Sequence, residues 1–406
     1  MKKRFIEQRL KKLFKAFPMV LLTGARQAGK TTLLNTLVPK GTTITFDPVT
    51  DVRGARKDPD LFLQNETPPA FLDEVQYVPG VLASLKRYVD SKPGKKSLFY
   101  LSGSQNLNVL KEASDSLAGR IAVADLYTLS YRELAGLPET GFLEDLVSGD
   151  KRDTIEPPNG IPGTHRLMWR GFFPGTLEMP DELLADYFSS YLRTYIERDI
   201  RTMADIQDIS RFGRFVRLLS ALSAQEINAN QLGRELDIDR TTALRWETLC
   251  EASYQWVKIP AFSRNSVKRI SGKSKGYFTD TGFLCALQGI LSPQVLSSHP
   301  MVGHIFETFI VMDIIKRISA WMQRPNLYHF RAYSGAEVDL ILEYNGKLYP
   351  IEIKLTASPT ANDTDGIKAF KESFPKESIG NGTVVCCTPQ VFQLGAGIRA
   401  VPWWTL

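Results

Sequence analysis

Residues Gly24-Ala25-Arg26-Gln27-Ala28-Gly29-Lys30-Thr31 spell G-x-x-x-x-G-K-T. In such a loop the glycines let backbone N–H groups wrap phosphate oxygens. The helix that opens at its end adds a partial positive charge. Lys30 is placed to reach β- and γ-phosphates, and Thr31 to ligate a magnesium ion. Gly24 to Thr31, with Thr32 just behind, are therefore the candidate nucleotide contacts. The apolar run Met19-Val20-Leu21-Leu22 before the loop reads as a buried strand. Thr32-Leu33-Leu34-Asn35-Thr36-Leu37 after it reads as the start of a helix, which completes the context that the motif requires.

A second apolar run, Pro69-Ala70-Phe71-Leu72, ends in Asp73-Glu74. A strand buried on both faces would release these acids at its C-terminal edge, where open α/β sheets bind their ligands. Asp73 can then hold magnesium through water, and Glu74 can polarise an attacking water. A third strand, Leu98-Phe99-Tyr100-Leu101, ends in Ser102-Gly103-Ser104-Gln105. Ser104 is the first candidate for a γ-phosphate contact and Gln105 the second. Arg120, in Ser116-Leu117-Ala118-Gly119-Arg120, is a candidate for neutralising transition-state charge in its own site or a neighbour's. A solvent-facing arginine is the plain alternative.

A different chemistry is written near the C-terminus. Glu337 to Tyr344 and Lys347 to Lys354 both alternate like strands around Asn345-Gly346, the strongest two-residue hairpin signal. Pairing Tyr344 with Lys347 puts Asp339 opposite Glu352, with Lys354 two residues on along the same face. Two carboxylates side by side repel unless a cation lies between them. The expectation is a divalent metal on Asp339 and Glu352, with Lys354 at a water or a scissile phosphate. The other face collects Val338, Leu340, Leu342, Tyr349, Ile351 and Ile353. Glu307 interrupts an otherwise apolar helix over 302–319 and offers a third carboxylate. The bland alternative is an amphipathic hairpin with a solvated polar face.

Between these two sites, residues 224–262 have the order of a winged helix-turn-helix. A short helix over 230–236 is followed by a turn at Asp237-Ile238-Asp239 and a second helix opening at Arg240. Arg240, Thr241, Thr242 and Arg245 are the candidate DNA contacts. Arg264, Lys268, Arg269, Lys273 and Lys275 would form a basic wing suited to phosphates. A winged helix used only for protein contact is the alternative.

The 406 residues suffice for two or three domains, and 43% hydrophobic with 23% charged residues is ordinary globular composition. A net charge of +6 permits nucleic acid as a partner without requiring it. Four cysteines without a C-x-x-C pair read as buried thiols of a reducing, cytoplasmic setting. No apolar run approaches the ~20 residues of a membrane span. Residues 3–16 read as a basic amphipathic helix. Strand candidates at 19–23, 43–47, 69–73, 97–102 and 121–126 are separated by helical stretches, including 80–90 and 106–117. They imply a mostly parallel sheet with helices on both faces. A Gly/Pro-rich seam over 136–165 divides the chain. The expected parts are 1–135 (P-loop core), 136–205 (linker and helical segment), 206–294 (winged helix) and 295–406. Tyr187, Tyr191 and Tyr195 recur every four residues on one helix face, and Glu197-Arg198-Asp199 reads as local ion pairing.

Taken together, these motifs and Tyr277-Phe278-Thr279-Asp280-Thr281-Gly282 resemble the AAA-type ATPases of the AAA_14 group that carry a C-terminal DUF4143 domain. The resemblance implies an AAA+-like α/β core, a winged helix and a C-terminal α/β domain similar to restriction endonucleases. It leaves the substrate open. The absence of an N-K-x-D guanine-reading motif favours ATP, with Mg2+, over GTP. The expected function is an ATP-hydrolysing switch that binds DNA, with metal-dependent cleavage by the nuclease-like C-terminal domain left open. The alternative is a regulatory DNA- or protein-binding switch whose C-terminal domain is a scaffold. A homo-oligomer would let Arg120 act across subunits.

Overall fold

Five short strands build the first sheet: β1 Met19–Thr23, β2 Thr43–Thr45, β3 Ala70–Asp73, β4 Phe99–Gly103 and β5 Ile121–Asp125. All neighbours are parallel, in the order β2-β3-β4-β1-β5. Every residue of β1, β3 and β4 is buried, because both faces are covered. Alternate residues feed opposite layers. Met19, Leu21, Leu72 and Leu101 meet helices Pro59–Gln64 and Gly80–Asp90, whereas Val20, Leu22, Phe71 and Tyr100 meet helix Ile6–Ala16. This computed structural model describes residues 2–38, 41–104, 117–148, 163–195, 200, 206, 208–265, 273–332 and 335–406. Gln105, the expected helix over 106–117 up to Ser116, the charged run 150–153, Glu197-Arg198-Asp199 and wing residues Lys268 and Arg269 lie outside the described residues.

The middle of the chain folds as three helices, Ile209–Ala221, Ala229–Leu236 and Arg240–Ala252, with a small antiparallel sheet. Its strands β6 Gln225–Glu226, β7 Trp256–Pro260 and β8 Ser274–Phe278 lie in the order β6-β8-β7. Asp239 caps the third helix by accepting from the Thr242 amide at 3.0 Å.

The last sheet is mixed: β9 Asn326–Arg331, β10 Glu337–Tyr344, β11 Lys347–Ile353, β12 Gly382–Cys386, β13 Phe392–Gly395 and β14 Ile398–Pro402. The spatial order is β13-β14-β12-β11-β10-β9. The hairpin register is the expected one, from Tyr344↔Lys347 to Leu340↔Ile351. Asn345 and Gly346 both take positive φ, as a tight hairpin turn demands. Two expectations change. A bulge against β9 between Val338 and Ile341 moves Val338 off the wall of Leu340, Leu342 and Ile351. Val338 packs instead with Ile341, Leu348 and Val384 under Ile367 and Phe370 of helix Asp365–Ser373, so the second face is covered rather than solvated.

One hydrophobic cluster runs from Leu129 to Leu406, crossing the boundaries expected near 206 and 295. Tyr191, Tyr195, Trp256, Phe283, Phe309 and Ile351 all belong to it. The wing is also docked on the last sheet. Ala261 bridges His329 of β9, the Phe262 amide donates to the His329 carbonyl at 2.7 Å, and the Phe262 ring packs on Tyr328, Phe370 and Phe374.

The His329 ring is buried at this junction, with Nε2 3.1 Å from the Lys273 carbonyl. Burial pushes its pKa below the ordinary 6.5. Below that value the unfolded chain binds a proton that the folded chain resists. Stability is therefore fully present above about 6.5 and falls as pH drops further. Melting curves at pH 7.5 and 5.5 should differ less in His329→Gln than in the wild type. An equal difference would remove His329 from the acid limb.

Candidate functional site

The G-x-x-x-x-G-K-T loop folds because its two glycines accept what a side chain cannot. Gly24 has φ +152°, and a Cβ there would lie 2.1 Å from the Leu126 carbonyl oxygen. Gly29 has φ +95° and caps helix Lys30–Leu34. The Lys30 ammonium is buried and donates to the carbonyls of Gly24 (2.8 Å) and Ala25 (2.9 Å), curling over the loop. Arg26 donates to the Tyr77 hydroxyl at 2.9 Å, and the Gln27 side-chain oxygen accepts from Tyr187. Arg4, which the motif does not announce, braces the loop from beneath. It donates to the carbonyls of Ala28 (2.8 Å) and Tyr127 (2.7 Å) and pairs with Glu133 at 3.2 Å.

β4 lies between β1 and β3, so its Ser102 bridges the two halves of the site. The Thr31 hydroxyl donates to Asp73 Oδ2 at 2.9 Å, and the Ser102 hydroxyl donates to Asp73 Oδ1. Burial pushes the Asp73 carboxyl above its usual range, against the pull of those two hydrogen bonds. A buried carboxylate and a threonine hydroxyl converging beside the loop fit a magnesium ion bound with a nucleotide. Glu74 follows in a left-handed conformation, and Gln76 donates to both Glu74 Oε2 and Ser104 Oγ, the latter at 3.1 Å. Thr31, Asp73, Glu74 and Ser104 are thus brought together, and Ser102 and Gln76 join them. A cavity of about 570 Å³ adjoins the first helical turn. Arg4, Gly29, Thr32, Leu33, Pro174 and Leu177 line it.

Arg120 is not brought to this site. It precedes β5, and Met19↔Ile121 marks the N-terminal edge of the sheet, whereas the loop leaves the C-terminal edge after Thr23↔Asp125. Five strand residues, about 16 Å, separate the two edges. Arg120 instead makes a two-pronged pair with Asp90 at 2.6 and 3.0 Å.

The C-terminal carboxylates also converge, but around an unexpected group. Lys275 of β8 was expected on an exposed basic wing. Its ammonium is buried, 2.7 Å from Glu307 Oε1 and 3.0 Å from Asp339 Oδ1. Tyr277 donates to the same Glu307 oxygen at 2.8 Å, and the Ile353 amide donates to Asp339 Oδ2 at 3.0 Å. Lys354 pairs with Glu352 Oε1 at 2.6 Å. Burial and the Asp339 charge push the Glu307 carboxyl up to about 8 and hold Glu352 well above its usual range. For Lys275 burial acts downward, yet Asp339 and Glu307 outweigh it and raise its pKa. The residues expected to ligate a metal therefore do not fit one here, because an ammonium lies between Glu307 and Asp339. Among the described residues no group of three or more His, Cys, Asp or Glu side chains is arranged to hold a metal ion.

The AAA domain model AAA_14 matches residues 16–135. Two domains of unknown function match further on, DUF8612 at 162–294 and DUF4143 at 302–406. Uncharacterized proteins of Mycobacterium tuberculosis and Mycobacterium bovis are each 30% identical over 355 residues, 87% of this chain and 74% of theirs. The chain belongs to the AAA_14–DUF4143 family. Among solved structures, a Walker-type ATPase of Pyrococcus abyssi is similar over 70% of this chain and 94% of its own, at 17% identity and a TM-score of 0.44. This AAA_14–DUF4143 chain thus carries an AAA domain over residues 16–135. Among its described residues no helix is long and apolar enough to cross a membrane.

Within this AAA_14–DUF4143 chain, side chains from the later parts reach the nucleotide loop. Tyr254, just before β7, donates to Thr23 Oγ1 at 2.6 Å and Asp125 Oδ1 at 2.7 Å. Arg324, just before β9, pairs with the other Asp125 oxygen at 3.0 Å. Tyr187 reaches Gln27. On helix Arg240–Ala252, Arg240, Thr241 and Arg245 are exposed, whereas the Thr242 hydroxyl is taken by Asp239 at 2.6 Å. Of the expected basic wing, Arg264 pairs with Glu377 at 3.0 Å, and Lys273 lies 3.6 Å from Glu226.

Proposed function

We propose that this chain is an ATP-hydrolysing switch whose nucleotide state sets how its winged helix engages DNA. The observation that carries the proposal is the pair of direct contacts from Tyr187 to Gln27, within the phosphate loop, and from Tyr254 to Thr23, immediately before it. In this reading the purine occupies the cavity beside Thr32 and Leu33. Lys30 exchanges its loop carbonyls for phosphate oxygens. Magnesium, held by Thr31 and through water by Asp73, would neutralise the charge that develops on the phosphates. Glu74 accepts a proton as water attacks the γ-phosphorus and the bond to the β-phosphate oxygen breaks, leaving ADP and phosphate. Gln76 fixes Glu74 against Ser104, so the acid is oriented before substrate arrives.

For DNA, the exposed Arg240, Thr241 and Arg245 present donors from the start of a helix that a groove can accept. Thr242 is committed to the cap and contributes less. The expected result is that Arg240→Ala with Arg245→Ala weakens duplex DNA binding about tenfold and lowers the salt slope by about two phosphate contacts. Fluorescence anisotropy at several salt concentrations reads this, with and without a non-hydrolysable ATP analogue. Unchanged affinity in the double variant would exclude DNA from this surface. Identical affinity with and without the analogue would remove the coupling.

DNA cleavage is the weaker reading, because Lys275 lies where a catalytic cation would bind. The scaffold reading of the C-terminal domain is favoured by the same contact. An action of Arg120 across subunits requires release of Asp90 on assembly.

A further inference from the structure

Three carboxylates at one place need compensation in a poorly solvated setting. Glu307 comes from helix Val302–Ile318, Asp339 from β10 and Glu352 from β11, and all three are buried. Isolated buried charges of one sign are strongly unfavourable, and removing the counter-charge of such a set is costly. Lys354 pairs with Glu352 from within the C-terminal domain, whereas the compensation for Glu307 and Asp339 comes from β8, outside the C-terminal sheet. Lys275 and Tyr277 stand two residues apart on β8, so they project to the same side, and both meet Glu307 Oε1. The Lys275 side chain is only 7% exposed. Carboxylate oxygens line the place, and the cation between Glu307 and Asp339 is an ammonium. Glu352 Oε2 adds a second indication, being buried with no hydrogen-bond partner among the described residues while Oε1 takes Lys354. That oxygen is the free acceptor a multidentate ion would use.

We propose that Lys275 is the resident cation of the Glu307–Asp339 pocket, that it latches the winged helix to the C-terminal domain, and that it excludes divalent metal while the wing strand is docked. A docked wing and a bound divalent ion are then alternatives for the same carboxylates. This extends the scaffold reading of the C-terminal domain and is independent of ATP hydrolysis and DNA binding. A wing that stays docked leaves them a structural ion pair.

The test uses the full chain without nucleotide, so that the phosphate loop offers no nucleotide-bound metal. Mn2+ is titrated into the wild type, Asp339→Asn, Lys275→Met, Lys275→Arg and Lys275→Met with Asp339→Asn, with electron paramagnetic resonance reporting free Mn2+. Melting curves with and without Mn2+ are run in parallel. The expected result is one Mn2+ bound at least tenfold more tightly by Lys275→Met than by the wild type. Lys275→Arg, which keeps the charge, stays like the wild type, and adding Asp339→Asn abolishes the gain. Mn2+ should raise the melting temperature of Lys275→Met and leave that of the wild type unchanged. Tight Mn2+ binding by the wild type that is lost in Asp339→Asn would overturn the proposal, even if Lys275→Met does not fold. A folded Lys275→Met that gains no Mn2+ would overturn it too. Either failure leaves the DNA-binding and ATPase measurements, and the reading they test, untouched.

Discussion

Lys30→Ala is expected to lower affinity for Mg–ATP by at least roughly a hundredfold and to leave hydrolysis undetectable. The lysine supplies charge-assisted hydrogen bonds to phosphate, and a pair of such bonds contributes about 3 kcal/mol or more. Each 1.4 kcal/mol or so is tenfold in binding. The ammonium is already inside the loop, bonded to the Gly24 and Ala25 carbonyls, so little ordering remains to be done when phosphate arrives. Isothermal titration with a non-hydrolysable analogue reads the affinity. Circular dichroism confirms that the fold survives the loss of those two loop bonds. Wild-type affinity in a folded Lys30→Ala protein would refute the assignment of the loop.

Asp280→Ala should produce the largest loss of stability, about 3–5 kcal/mol, without touching any phosphate contact. Asp280 is fully buried. It accepts from the amides of Phe172 (2.9 Å), Gly282 (3.0 Å) and Phe283 (3.3 Å) and from the Thr128 hydroxyl (3.1 Å). Burial pushes its carboxyl up, and the Lys316 charge opposes that. The residue thus joins the segment after β5, the helix end at Gly171 and the start of helix Thr281–Leu287. Truncation leaves several buried donors without an acceptor, whereas Asp280→Asn keeps part of the set and should cost less. Urea unfolding of the two variants against wild type tests this. A loss below about 1 kcal/mol in Asp280→Ala would show that water replaces the carboxylate. The Thr279-Asp280-Thr281-Gly282 motif is therefore explained by architecture, not by catalysis.

The parts of the site that were legible in the sequence are those whose signals are local. The G-x-x-x-x-G-K-T spacing, the acids closing a buried strand and the Asn345-Gly346 turn each fix geometry within a few residues, and the hairpin register followed from the turn alone. Even the misplacement of Arg120 was readable, because a residue before a parallel strand lies at the edge opposite the loops. The bulge that turned Val338 to the other face was not readable, since it depends on β9 as partner. Ser102, Gln76, Arg4 and Tyr254 matter through partners distant in sequence. Lys275 is the clearest case. Its neighbours Arg264, Lys268, Arg269 and Lys273 made it look like one of a solvated basic set, and only the fold reveals the two acids it serves. A net charge of opposite sign between the hairpin and β8 carries no address.

The single cluster running from Leu129 to Leu406 also governs how this architecture can be diversified. In a chain of independent beads, a recognition head is exchanged by recombination at a linker, and each half folds as before. Here a crossover near 295 would part Phe309 from Phe172 and Trp403 from Tyr131, and would leave Glu307 and Asp339 without their counter-charge. The winged helix and the C-terminal sheet must be inherited, or grafted, as one cassette.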